Sequence, residues 1–270
     1  MRTHLPAATR HHRERTVGAG PGRRIRPAFG RDHPPVGHTG RVIAHRRIAG
    51  AAADGCYEAA RASALSGVPL TTVYWWARHG VVVPSVSPVR EKLWSYSDLI
   101  ALRVVSWLRH AKTADVGDLP ASPMPQVRQA LKRLDEYDLD PWDPRSPGSS
   151  PLLVDRGGRI FLRINGEVVD LHGQPSMLDE QVLELTAPFT SVGGDGPDLL
   201  RPRPHLRIVP AKVAGEPHIE RSRLTSQTVA ALAERGYDPA QIASMYDEPE
   251  QAIREAIDLE RQLTGSLVAA

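Results

Sequence analysis

GVPLTTVYWWARHGVVVP, residues 67–84, holds a proline just inside a helix start, two adjacent tryptophans in mid-helix and a valine run ending in Pro84. Gly67 closes a short helix read in YEAARASALSG, and Pro69 stands where proline favours the first turn of the next one. That second helix runs to about His79 and stops at Gly80, and residues 81–83 then read as a strand. A looser stretch with Arg90 and Lys92 leads to Leu93, Trp94 and Tyr96. The order is helix, turn, helix, hairpin wing.

Neighbours on a helix point about 100° apart, so Trp75 and Trp76 cannot both face one core. Val73 and Trp76, three apart, share the buried stripe, which puts Trp75 at a rim or groove-facing side. Ser95 and Asp98 then form an S-x-x-D capping box. The helix they open buries Ile100, Val104, Trp107, Leu108 and Ala111 at helical spacing.

Outward from this segment the chain is uneven in charge. Its net charge of +3 combines +9 over residues 1–50, where 11 Arg face only Glu14 and Asp32, with −6 over the remaining 220. The first 50 residues also hold six of the eleven His, are rich in Gly and Pro and show no apolar period, so disorder is expected there. An Arg-rich arm can hold phosphate by charge alone. The stretch has no serine, unlike a transit peptide, and 30 Arg against 4 Lys suggests a GC-rich coding sequence. In such a sequence, translation from a misassigned start stays open, the competing reading of this tail. A single cysteine, Cys56, excludes an internal disulfide framework and a cysteine-built zinc site. No apolar run approaches the roughly 20 residues that cross a bilayer and no signal peptide opens the chain, so a cytoplasmic protein is expected.

The rest reads as mainly α with small β elements. Residues 112–125 read as a loose connector with three prolines, and 126–139 as an amphipathic helix with Val127, Leu131 and Leu134 on one face. Next come a Pro/Gly/Ser linker and a small antiparallel β-meander, in which Asn165-Gly166 is a type I′ hairpin signal and Gly157-Gly158 an earlier turn. After a second linker HLRIVP, residues 205–210, reads as a strand. A helix from near Thr225 buries Val229, Leu232 and Ala233 and stops at Gly236. Asp238-Pro239 with Gln241 caps a helix burying Ile242, Met245 and Tyr246, and Pro249 opens a last one with Ile253, Ala256, Ile257 and Leu263. The expected layout is a tail (1–55), a winged helix-turn-helix with its following helix (56–139), a linker (140–151), the meander (152–190), a linker (191–203) and a domain of three short helices (204–270).

YEAARASALSGVPLTTVYWWARHGVVVP followed by LWSYSDLIALRVVSWLR resembles the MerR-type winged helix-turn-helix over about residues 57–110. The resemblance implies a second helix in the DNA major groove and a wing on the phosphate backbone. Thr71, Thr72, Tyr74 and Arg78 become the helix contacts, and Arg90 and Lys92 the wing contacts. Where that family commonly carries arginine before its aromatic pair, this chain has Tyr74, which lacks the bidentate fork of arginine.

A second segment, HLRIVPAKVAGEPHIERSRLTSQTVAALAERGYDPAQIASMYDEPEQAIREAI, resembles the small VapB-type antitoxin-like domain that pairs with PIN-like toxins, over about residues 204–260. The features are G-x-P-x-I at 215–219, R-x-R-L-T at 221–225 and ERGYDPAQIASMY. That family usually places Gly-Thr before its central arginine, and here Arg221 and Ser222 precede Arg223. The resemblance implies cations presented to a toxin whose metal site is acidic, with Arg221, Arg223, Arg254 and Arg261 as candidates. Arg254 and Arg261 also fit a solvated face among Glu250, Glu255, Asp258 and Glu260.

Enzymatic motifs do not emerge. VGGDGPD lacks the context and lysine of a phosphate loop, the histidines outside the tail are scattered, and no serine sits in a nucleophile elbow. Neither catalytic nor metal-binding residues, nor any cofactor, are expected. The foremost expectation is a homodimeric antitoxin-like regulator that binds double-stranded operator DNA and neutralises a PIN-like ribonuclease toxin, since two half-sites need two reading heads. The alternatives are a MerR-type ligand-responsive regulator without a toxin partner, and an interaction module without DNA binding.

Overall fold

Eight residues, AARASALS, mostly small and none β-branched, form helix α1 (Ala59–Ser66). It ends at Gly67, whose left-handed φ of 73° lets its N–H reach the Ser63 carbonyl at 2.9 Å. Helix α2 (Leu70–Arg78) follows from Pro69 and buries Val73 and Trp76. This is a computed structural model, and it describes residues 54–114, 117–141, 150–176, 182–184 and 197–268. The Arg-rich tail and most of both linkers lie outside the described residues.

Residues 81–83 are not a strand. Val81 still donates to the Trp76 carbonyl at 2.9 Å, closing the end of α2, and Val81 and Val82 turn into the core instead of pairing. The wing's strand is β2 (Leu93–Trp94), and its antiparallel partner is β1 (Tyr57–Glu58), ahead of α1. Reciprocal bonds between Ser87 and Leu93, 3.1 and 2.9 Å, close the intervening loop.

Helix α3 (Tyr96–Arg109) begins with the expected capping box: Asp98 N–H donates to Ser95 Oγ and Ser95 N–H to the Asp98 carboxylate. It buries Ile100, Val104 and Leu108, while Trp107 is only partly covered and Ala111 lies exposed beyond the helix end. Lys112 ends the run, donating to the Trp107 and His110 carbonyls with its ammonium 4.3 Å from the Trp107 ring centre. The region expected as a loose connector holds a hairpin, β3 (Lys112–Ala114) with β4 (Gly117–Leu119). Helix α4 (Met124–Glu136) buries Val127, Ala130 and Leu134.

The meander is β5 (Leu152–Asp155), β6 (Ile160–Ile164) and β7 (Glu167–Val169), and β8 (Val182–Glu184) adds to the free edge of β5. The antiparallel order is β7-β6-β5-β8. Asn165 and Gly166 turn between β6 and β7 with φ of 52° and 86°, the type I′ pattern.

The last region pairs β9 (Leu206–Arg207) with β10 (His218–Ile219). The strand expected over 205–210 is this short because Ile208 donates away to Leu200 at 3.1 Å. Helices α5 (Ser226–Glu234), α6 (Pro239–Tyr246) and α7 (Glu250–Val268) follow; the last is 19 residues long, not short. Of the three residues expected under α6 only Ile242 is buried, and Met245 and Tyr246 remain 52% and 42% exposed. Seven α-helices and small sheets thus stand among the described residues.

Helix α7 packs on α5, α6 and α1. Tyr57, Leu65, Trp94 and Leu99 belong to the same apolar core as Leu206, Ile253 and Leu259. Buried Arg103 ties α3 to this arrangement, donating to the Ser66, Leu65 and Pro197 carbonyls at 2.5, 2.6 and 3.0 Å.

Candidate nucleic-acid and partner surfaces

On α2, Val73 and Trp76 face inward at 0% and 5% exposure while Trp75 is 43% exposed. The adjacent tryptophans therefore serve two environments. Trp75 stacks on His79 with ring centres 4.1 Å apart, and His79 Nδ1 is 2.8 Å from the Trp75 carbonyl. Tyr74 is half-exposed and sets its ring against Trp94, 6.3 Å away and edge-on, which ties α2 to the wing strand. Thr71 and Arg78 are exposed and Thr72 is half-buried.

The wing loop presents exposed Val89 and Arg90. Lys92 is partly turned back: its ammonium donates to the Val89 and Pro88 carbonyls at 3.1 and 3.4 Å and braces the loop. One cation near this face escaped the sequence reading. Arg128 on α4 donates to the His79 carbonyl at 2.7 Å, at the C-terminal end of α2. Its only signal was a place on the polar side of an amphipathic helix.

The four C-terminal arginines fall in two groups. Arg221, in a left-handed conformation (φ 68°), and Arg223 are exposed on the turn between β10 and α5. Arg254 and Arg261 lie seven apart on the exposed stripe of α7, and Arg254 is answered within the helix by Glu250, its Nε at 3.0 Å.

A cluster that sequence reasoning missed joins α1 to this region. Arg61 Nη2 and Nε donate to Glu216 at 2.6 and 2.9 Å, and Nη1 and Nη2 donate to the two Glu260 oxygens at 2.8 Å each. Ser226, the first residue of α5, donates to Glu260. Burial pushes the Glu216 carboxyl up, and the Arg61 charge only partly opposes it. Alongside, Tyr57 Oη donates to the Gly215 carbonyl at 2.6 Å, and Cys56 N–H to the Ala214 carbonyl at 3.1 Å. Gly215 has φ 78°, and a Cβ there would stand 2.1 Å from the Tyr57 oxygen. A second joint holds Glu255, which accepts from His205 N–H and sits against His205 Nδ1, both at 2.8 Å. Burial alone would raise the Glu255 carboxyl, but the bonds from His205 and Gln251 outweigh it and hold it below its ordinary value.

Among the described residues no helix is long and apolar enough to cross a membrane, and no group of three or more His, Cys, Asp or Glu is placed to hold a metal ion. Residues 207–258 match the family model DUF433, a protein family of unknown function. That span covers β10, the Arg221 turn, α5, α6 and the first half of α7. Neither the curated proteins nor the solved structures include a match to this chain.

Proposed function

We propose that this chain is a DNA-binding regulator of the antitoxin type, which reads double-stranded operator DNA with α2 and the wing and holds a PIN-like toxin with its C-terminal helices. The carrying observation is the outward face of α2. It presents Thr71, Tyr74, Trp75 and Arg78 side by side, with Arg128 beside its end and Arg90 on a braced loop. Arginines donate to phosphate oxygens, while threonine and tyrosine hydroxyls and the Trp75 edge suit the groove wall. Without an arginine fork at position 74, this face gains more from phosphates and packing than from bidentate base reading.

The toxin half of the proposal draws support from the resemblance of residues 204–260 to antitoxin-type domains and from the exposed cations of the Arg221–Arg223 turn. Two reading heads, hence a homodimer, suit a two-half-site operator. The test of the DNA half is fluorescence anisotropy with duplex from the region upstream of its own gene, titrated over salt. Saturable binding that tightens steeply as salt falls and outcompetes random duplex supports the reading. Equal affinity for random duplex at physiological salt sinks it.

A further inference from the structure

Helix α6 carries an apolar stripe that its own chain covers only in part. Tyr237 stands at N′ before the Asp238 cap, Ile242 is the fourth helical residue, and Met245 and Tyr246 follow three and four positions later. These spacings align all four along one side of the helix. Ile242 is fully buried, yet Tyr237, Met245 and Tyr246 are 44%, 52% and 42% exposed. Aromatic residues and methionine are the types that concentrate binding energy at protein interfaces.

The charge of the segment that carries the stripe points to what covers it. Residues 234–248 carry the carboxylates of Glu234, Asp238, Asp247 and Glu248 against the guanidinium of Arg235. A second copy of the chain meeting this face about a two-fold axis would set these carboxylates against their own kind, which costs affinity. Duplex DNA is repelled for the same reason.

From this we infer that the α6 face is the docking surface for a partner protein whose contact region is basic around an apolar cleft. This assignment rests on the antitoxin reading and refines it. The toxin is gripped by the aromatic stripe of α6 while the Arg221–Arg223 turn reaches its acidic centre.

The experiment uses the full chain co-expressed with the products of the genes on either side of its own, and native mass spectrometry and titration of any complex. Met245→Ala and Tyr246→Ala should each weaken the complex on the order of tenfold or more, with the melting temperature of the free chain kept. Glu234→Lys with Glu248→Lys should weaken it further and flatten its salt dependence. A complex indifferent to these changes but lost with Arg221→Glu and Arg223→Glu overturns the α6 assignment and leaves the antitoxin reading standing. A wild-type homodimer that Tyr246→Ala converts to monomer, with no second protein bound, also overturns it. Absence of any complex with the neighbouring products overturns both.

Discussion

Arg61 answers two carboxylates that lie 155 and 199 residues further along the chain. Arg61→Met keeps most of the side-chain volume but strands Glu216 and Glu260, whose side chains are only 16% and 12% exposed. Removing one partner of a buried pair costs about 3–5 kcal/mol. Thermal unfolding should therefore show the midpoint falling on the order of 10 °C, and adding Glu216→Gln should restore part of it. Two other residues contribute to the pH response. Glu255, depressed by its bonds to His205, contributes stability that is complete above its unfolded value of 4.5 and is lost as pH falls through its lower folded value. Glu255→Gln should accordingly flatten the acid limb of the stability curve, read as denaturation midpoint against pH. Lys112, its pKa lowered by burial to about 8 from 10.5, binds fewer protons folded than unfolded across that window, so its contribution makes stability rise with pH there. Amine-reactive labelling at pH 8 should modify Lys112 ahead of the three other lysines. None of these roles was legible in the sequence, because each depends on partners or burial that only the tertiary fold supplies.

At the level of elements, what could be read was what neighbouring residues settle among themselves. The capping boxes at Ser95 and Asp238 and the Asn165-Gly166 turn follow from residues no more than three positions apart, and all three form as read. Ser95→Ala should lower stability by about 1 kcal/mol, measured by urea denaturation. Asp98 would then keep only its bonds to the backbone of residues 85 and 95 and to Ser85 Oγ. Misreadings arose where a local pattern yielded to distant packing. Residues 81–83 have the β-branched composition of a strand, but the strand β2 is already paired with β1, so Val81 and Val82 are used as core while Val83 stays exposed. The hairpin at 112–119 lacks the alternation that announces one. On α2, position along the period placed Val73 and Trp76 inward and Trp75 at the rim, as the structure has them, whereas Arg128 reaches the end of α2 from another helix and was marked only by its place on the polar side of α4.

For the whole molecule, the basic face of α2 and the wing and the acidic face of α6 belong to one continuous core. Under the proposed function Arg78→Ala and Arg90→Ala should each weaken duplex binding for every sequence alike and reduce the salt slope by about 0.9, as anisotropy titrations at several salt concentrations would register. Lys92→Ala should do less to the slope, because that ammonium is spent partly on the loop's own carbonyls. Because α1 is covered by α7, the Arg61–Glu260 contact cannot form until 199 further residues have been synthesised. At ribosomal speeds of about 5–20 residues per second that delay is roughly 10–40 s. During this time α1 has an open flank, exposed to chaperones and proteases. A chain cut short by premature termination never acquires this cover, so under the proposed function only complete copies would be competent to occupy DNA.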